Sequence, residues 1–138
     1  MLGISDAQHE ETAPGAPNLA ISELACSLVG QAQTVRIMPN TLSRQVYGKE
    51  ETIEEFRCSY GLNPEYRDKI GASGLQVAGV GPDGEVRMVE LSDHRFFVAT
   101  LFLPQLSSSP DRPHRLIVAY LQAAAAFRRT RSSRRQYE

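Results

Sequence analysis

Leu75-Gln76-Val77-Ala78-Gly79-Val80, then Gly81-Pro82-Asp83-Gly84, then Glu85-Val86-Arg87-Met88-Val89-Glu90-Leu91 is the stretch that decides the fold class. Two alternating runs flank an Asp-Gly turn, and glycine supplies the positive φ that such a turn demands, so the stretch reads as a β-hairpin. Downstream, Phe96-Phe97-Val98-Ala99-Thr100-Leu101-Phe102-Leu103 is almost wholly apolar, which predicts a central strand covered on both faces. A loop ends at residues 110–113, and residues 114–129 have the length and alanine content of a closing helix.

Upstream of the hairpin, residues 54–62 read as one strand, and Asn63-Pro64 opens a helix that Gly71 or Gly74 ends. Asn40 or Thr41 caps a short helix over residues 42–47, with Gly48 in place for a left-handed C-terminal residue. Residues 34–38 alternate as a strand does, and Pro39 stops them. Residues 5–18, broken by Pro14, Gly15 and Pro17, read as a loop, so ordered structure is expected to begin at Leu19. Strands interleaved with helices make this an α/β chain: a mixed sheet with a β-hairpin, backed by a C-terminal helix.

Composition bounds the rest. With 138 residues, 41% of them hydrophobic, the chain is one domain's worth of sequence. Fifteen Lys and Arg against sixteen Asp and Glu leave a net charge of -1, which disfavours a nucleic-acid binder. Five arginines and one glutamate in residues 128–138 make the end basic and the body mildly acidic. The division expected is a folded part over residues 1–129 and a basic, disordered tail over residues 130–138. Two cysteines, Cys26 and Cys58, form neither a disulfide framework nor a zinc cluster. The longest apolar stretch is too short for a membrane span, and the first residues turn acidic without a basic region ahead of an apolar one. A cytoplasmic protein without a membrane anchor is expected.

The order of segments resembles the C-terminal part of the glutaminase domain of CTP synthase, a class I glutamine amidotransferase. The runs that carry the resemblance are Tyr47-Gly48-Lys49-Glu50, Tyr60 with Asn63, Gly74-Leu75-Gln76-Val77-Ala78-Gly79, Asp83-Gly84, Val89-Glu90-Leu91-Ser92-Asp93-His94, Phe96-Phe97-Val98-Ala99 and Arg112-Pro113-His114. Weaker similarity reaches Leu2-Gly3-Ile4-Ser5-Asp6-Ala7. The resemblance implies part of a flavodoxin-like domain, its second half, with the family's Gly-Cys-Xaa-Gly nucleophile turn lying ahead of residue 1.

In that family a thiolate attacks the glutamine carboxamide, a histidine shuttles the proton and a carboxylate holds the histidine. The family's Phe-His-Pro-Glu run is Phe102-Leu103-Pro104-Gln105 here, so Leu103 and Gln105 vacate the histidine and glutamate positions. The resemblance places Glu11 at the carboxylate that binds the substrate's ammonium group. Tyr60 is kept, while Ser59 stands where the family has a glutamine-contacting arginine. Glu11, Ser59 and Tyr60 are therefore the candidate remnant of a glutamine pocket.

Other constellations are weaker. His9, Glu10, Glu11, His94 and His114 have no recognised metal-ligand spacing, so no metal and no cofactor is expected. His114, after Pro113 at a helix start, reads as a packing or capping residue, and Cys58 as a buried, inert thiol. Two functions stay open. One is an interaction or regulatory module, a pseudoenzyme that pairs with a synthetase or with a chain supplying the N-terminal half. The other is one piece of a split amidotransferase whose nucleophile lies on another chain. Self-association is expected of a sheet with an open edge.

Overall fold

The computed structural model describes residues 5–135. In chain order the elements are β1 (Gln8–His9), β2 (Leu19–Glu23), β3 (Ala32–Ile37), α1 (Leu42–Tyr47), β4 (Glu51–Glu55), β5 (Tyr60–Leu62), α2 (Arg67–Gly71), β6 (Leu75–Val80), β7 (Val86–Leu91), β8 (Val98–Thr100) and α3 (Arg115–Arg135). Five strands form one sheet in the order β4-β3-β6-β7-β8, antiparallel at every step. A second, small sheet is mixed: β1 pairs with β2 in parallel, and β2 with β5 antiparallel.

The hairpin forms as expected. Leu75 stands opposite Leu91 and Gln76 opposite Glu90, and the pairing shifts register at Gly79. The turn is closed by the Gly84 amide donating to the Gly81 carbonyl at 3.0 Å and by the Asp83 carboxylate accepting the Glu85 amide at 3.0 Å. Gly84 has φ 81°, so an L side chain there would be strained. Gly79 answers a different need: a Cβ would stand 2.9 Å from Val35 Cγ1 and 3.0 Å from Met88 Cε, so β3 and β6 approach too closely for a side chain.

The sheet is rolled. Beyond β8 the Leu103 amide donates to the Glu55 carbonyl at 3.1 Å, which brings the chain leaving one sheet edge back to β4 at the other. Phe56 and Phe102 meet edge to face inside the roll, with ring centroids 5.9 Å apart, among Val35, Ile37, Ala78 and Met88. Arg87 is buried with them, its guanidinium held by Asp83 and Glu85 at 2.8 Å each.

Helix α1 crosses one end of the sheet. Thr41 caps it by accepting the Arg44 amide at 2.9 Å, and Gly48 closes it. Its first turn rests on Glu90 of β7, which is 1% exposed. That carboxylate accepts the Leu42 amide at 2.6 Å, the Ser43 amide at 2.9 Å, the Ser43 hydroxyl at 2.7 Å and the Gln76 amide group at 2.7 Å. Four donors offset the cost of burying the charge.

Several expectations need correction. Residues 54–62 are not one strand but β4 and β5, in different sheets. Phe56 turns into the core and residues 56–58 pair with the 28–31 loop, through Phe56 N–H to Gln31 O and Leu28 N–H to Cys58 O. Cys58 is half-buried, its thiol donating to the Tyr60 carbonyl at 3.0 Å. The apolar run at residues 96–103 supplies a three-residue edge strand rather than a central one, with Phe96 spent on Tyr120 of α3 and Phe102 on Phe56. Structure begins before Leu19, at β1. Helix α3 runs on to Arg135, into the segment expected as a tail; residues 136–138 of that segment lie outside the described residues. No helix among the described residues is long and apolar enough to cross a membrane.

Two stability outcomes are expected. Glu90→Ala strands the α1 donors and should cost about 3 kcal/mol in urea unfolding, while Glu50→Ala, at an exposed ion pair with Arg44, should cost less than about 0.5 kcal/mol. Deleting residues 130–138 should leave the Tm within about 1 °C of the full chain, because Thr130 is exposed and its hydroxyl donates to the Phe127 carbonyl of its own helix; a drop of several degrees would show that the segment packs.

Candidate functional site

Leu103 is half-buried and precedes a short 3-10 turn, Pro104–Ser107. Its amide is spent on Glu55, and Gln105 on the turn is exposed. Neither side chain offers a group that titrates near neutral pH.

Glu11, Ser59 and Tyr60 gather around the small sheet. Glu11 follows β1, and its amide donates to His9 Nδ1 at 3.1 Å. The His9 ring leans on Tyr60 with centroids 5.1 Å apart. Glu10 accepts the Glu23 amide at 2.5 Å. Desolvation, and then the charges of Glu11, Glu23 and Glu10, push the Tyr60 phenol above its ordinary range. The Ser59 hydroxyl is paired with Ser27 at 2.9 Å. A Cβ on Gly61 would stand 2.6 Å from Leu24 Cδ2 and 3.6 Å from Leu101 Cδ2, so β5 lies against the chain that leads to Leu103.

A buried carboxylate with three side-chain partners escaped the sequence reading. Glu54 of β4, 2% exposed, accepts from the Tyr47 hydroxyl at 2.7 Å and the Thr52 hydroxyl at 3.1 Å, and meets His114 Nε2 at 3.1 Å. On the other side of the ring, His114 Nδ1 accepts the Leu116 amide at 3.2 Å. An acceptor at Nδ1 fixes the tautomer, so Nε2 carries the proton and donates it to Glu54. Both ring nitrogens are occupied, and the histidine caps α3 while clamping it to β4. A histidine so held has no free nitrogen with which to take a proton from a nucleophile. One signal was available: Thr52, Glu54 and Phe56 share the inward face of an alternating run, and a carboxylate on that face needs buried donors.

The remaining reactive groups are dispersed. Cys26 is exposed, Cys58 bonds to Tyr60, and His94 bonds locally to Phe96. Among the described residues no set of three His, Cys, Asp or Glu side chains could hold a metal ion.

The rolled sheet, the small second sheet and the closing helix have counterparts among known proteins. No family model matches the sequence. The CTP synthase of Carboxydothermus hydrogenoformans is 34% identical over 134 residues, 90% of this chain and 25% of that protein. The CTP synthase of Staphylococcus aureus (strain NCTC 8325 / PS 47) is 31% identical over 141 residues, 95% of this chain and 26% of that protein. The glutaminase domain of the Trypanosoma brucei enzyme, solved with bound acivicin, superposes with a TM-score of 0.83 at 26% identity, covering 91% of this chain and 53% of that one. The chain is a homologue of the glutaminase domain of CTP synthase. A GMP synthase-type protein from Thermoplasma acidophilum, with a TM-score of 0.60 and 11% identity, shares the fold alone. The flavodoxin-like class I amidotransferase architecture is thereby established, and this CTP synthase homologue spans about a quarter of the length of the two bacterial relatives.

The Tyr47 phenol gives a pH test of the Glu54 cluster. Burial first, and then its hydrogen bond to Glu54 and that carboxylate's charge, push it far above its ordinary range. The unfolded chain releases this proton above pH about 10 while the folded chain keeps it, so its contribution is intact below that pH and falls by about 1.4 kcal/mol per unit above it. Tyr47→Phe should cost about 1–2 kcal/mol at pH 8 and decline less steeply than the wild type between pH 10 and 11. Equal slopes in urea unfolding would show that the phenol is not held in this way.

Proposed function

We propose that this CTP synthase homologue is a glutaminase-type module without a working catalytic triad, a pseudoenzyme that acts by binding a partner and does not hydrolyse glutamine. One observation carries the reading. The positions to which the resemblance assigns the proton-shuttling histidine and its carboxylate are Leu103 and Gln105, the first half-buried at the seam of the rolled sheet and the second exposed. The histidine with a buried carboxylate, His114, is engaged at both nitrogens. Neither Cys26 nor Cys58 is hydrogen-bonded to a histidine among the described residues.

The partner we favour is a synthetase or a chain bearing the N-terminal half of a glutaminase domain, met in the cytoplasm. The chain aligns with 53% of the Trypanosoma brucei glutaminase chain, so its counterpart there is a part of that domain. The second reading is one piece of a split amidotransferase with its nucleophile on another chain. Leu103 and Gln105 weigh against that reading, because a thiolate supplied in trans would still lack its base. In either case the open edge of β8 and the exposed Ile53 on β4 are surfaces that invite association, with self-association as one form of it.

The test is ammonia release. The purified full chain with glutamine should give no ammonia above the buffer background. Release that Cys58→Ser abolishes would identify a surrogate nucleophile and overturn the proposal.

A further inference from the structure

A cleft of about 510 Å³ opens between β4, the loop at residues 107–113 and the start of α3. Lys49, Arg112 and Arg115 all line it. Two of these cations stand on fixed supports. Arg115 Nη1 donates to the Tyr47 carbonyl at 2.7 Å, which holds the guanidinium at the rim. Arg112 sits in a loop closed by reciprocal bonds, its amide donating to the Ser109 carbonyl at 3.2 Å and hydroxyl at 3.1 Å and its carbonyl accepting the Ser109 amide at 3.1 Å. The Arg112 guanidinium and the Lys49 ammonium have no acidic or hydrogen-bonding partner among the described residues. Ser107 lines the same cleft, and its hydroxyl is buried without a hydrogen-bond partner.

The acids of the lining do not cancel this charge. Glu54, bonded by Tyr47, Thr52 and His114, and the exposed Glu55 are two carboxylates against three cations, so the lining keeps a net positive charge. Two guanidinium forks, an ammonium and a hydroxyl form a donor set matched to oxyanions, and the volume is that of a small-metabolite site. We propose that this cleft binds a small, multiply charged oxyanion, a phosphorylated or polycarboxylate metabolite, with Lys49, Arg112 and Arg115 on its charges and Ser107 donating from below. The inference does not depend on whether glutamine is hydrolysed.

The experiment is isothermal titration of the full chain with inorganic pyrophosphate and, separately, with citrate, at constant ionic strength. The wild type should bind at least one probe saturably, with pyrophosphate alone indicating phosphoryl groups and citrate alone indicating carboxylates. Lys49→Gln with Arg112→Gln should weaken binding by about tenfold or more, whereas Arg57→Gln, an exposed cation outside the cleft, should leave it unchanged. Melting curves establish that each variant is folded. Failure of both probes to saturate in the millimolar range, or equal weakening by Arg57→Gln, would overturn the proposal, whatever the ammonia assay gives.

Discussion

Glu54 brings a carboxylate into the interior at the point where β4, the end of α1 and the start of α3 converge, and the arrangement of those three elements follows from the need to satisfy it. An unpaired ion there would cost several kcal/mol. Tyr47 from α1, Thr52 from β4 and His114 from the head of α3 converge on it. The same histidine caps α3 through Nδ1, so ring orientation, tautomer and helix position are set together. Loss of any one partner leaves a buried group without its counterpart, which makes the cluster cooperative.

Helix α1 shows what this constraint does. Six residues are too few for a helix to persist in water unaided. Its N-terminal turn is fixed to Glu90 and its last residue, Tyr47, to Glu54. The helix is therefore suspended between two carboxylates buried in the sheet. Arg115 then bonds the Tyr47 carbonyl, so α3 is aligned by the same short helix.

What was legible in the sequence is what rests on local bonds. The 81–84 turn, the Thr41 and Gly48 caps of α1 and the 3-10 turn at Pro64–Tyr66, capped by Asn63 accepting the Glu65 amide, each close within a few residues, and each could be read from residue type. The split at residues 56–59 could not, because it depends on pairing with a loop some thirty residues earlier. Nor could the edge position of β8: an apolar run looks the same whether a sheet covers it or a helix and an aromatic partner do. The candidate site divides along the same line. Leu103, Gln105, Glu11 and Tyr60 were found by resemblance to a family pattern, whereas Glu54 reaches His114 60 residues away and Glu90 reaches Ser43 47 residues away, and both announce themselves only as acids on apolar faces.

Fold and chemistry are separable in this chain because they use different atoms of the same residues. At the seam where the rolled sheet closes, the bond from Leu103 to Glu55 is made by a peptide amide, which any residue except proline supplies. A leucine side chain there leaves the seam intact, and Gln105 on the following turn faces solvent without a structural duty. The buried carboxylates have no such freedom, since their side chains are themselves the structural contacts. A domain built this way keeps its architecture under substitution at Leu103 and Gln105, but not at Glu54 or Glu90. A close structural match to a glutaminase domain is therefore evidence about the frame, and the activity has to be argued from the side chains at the seam.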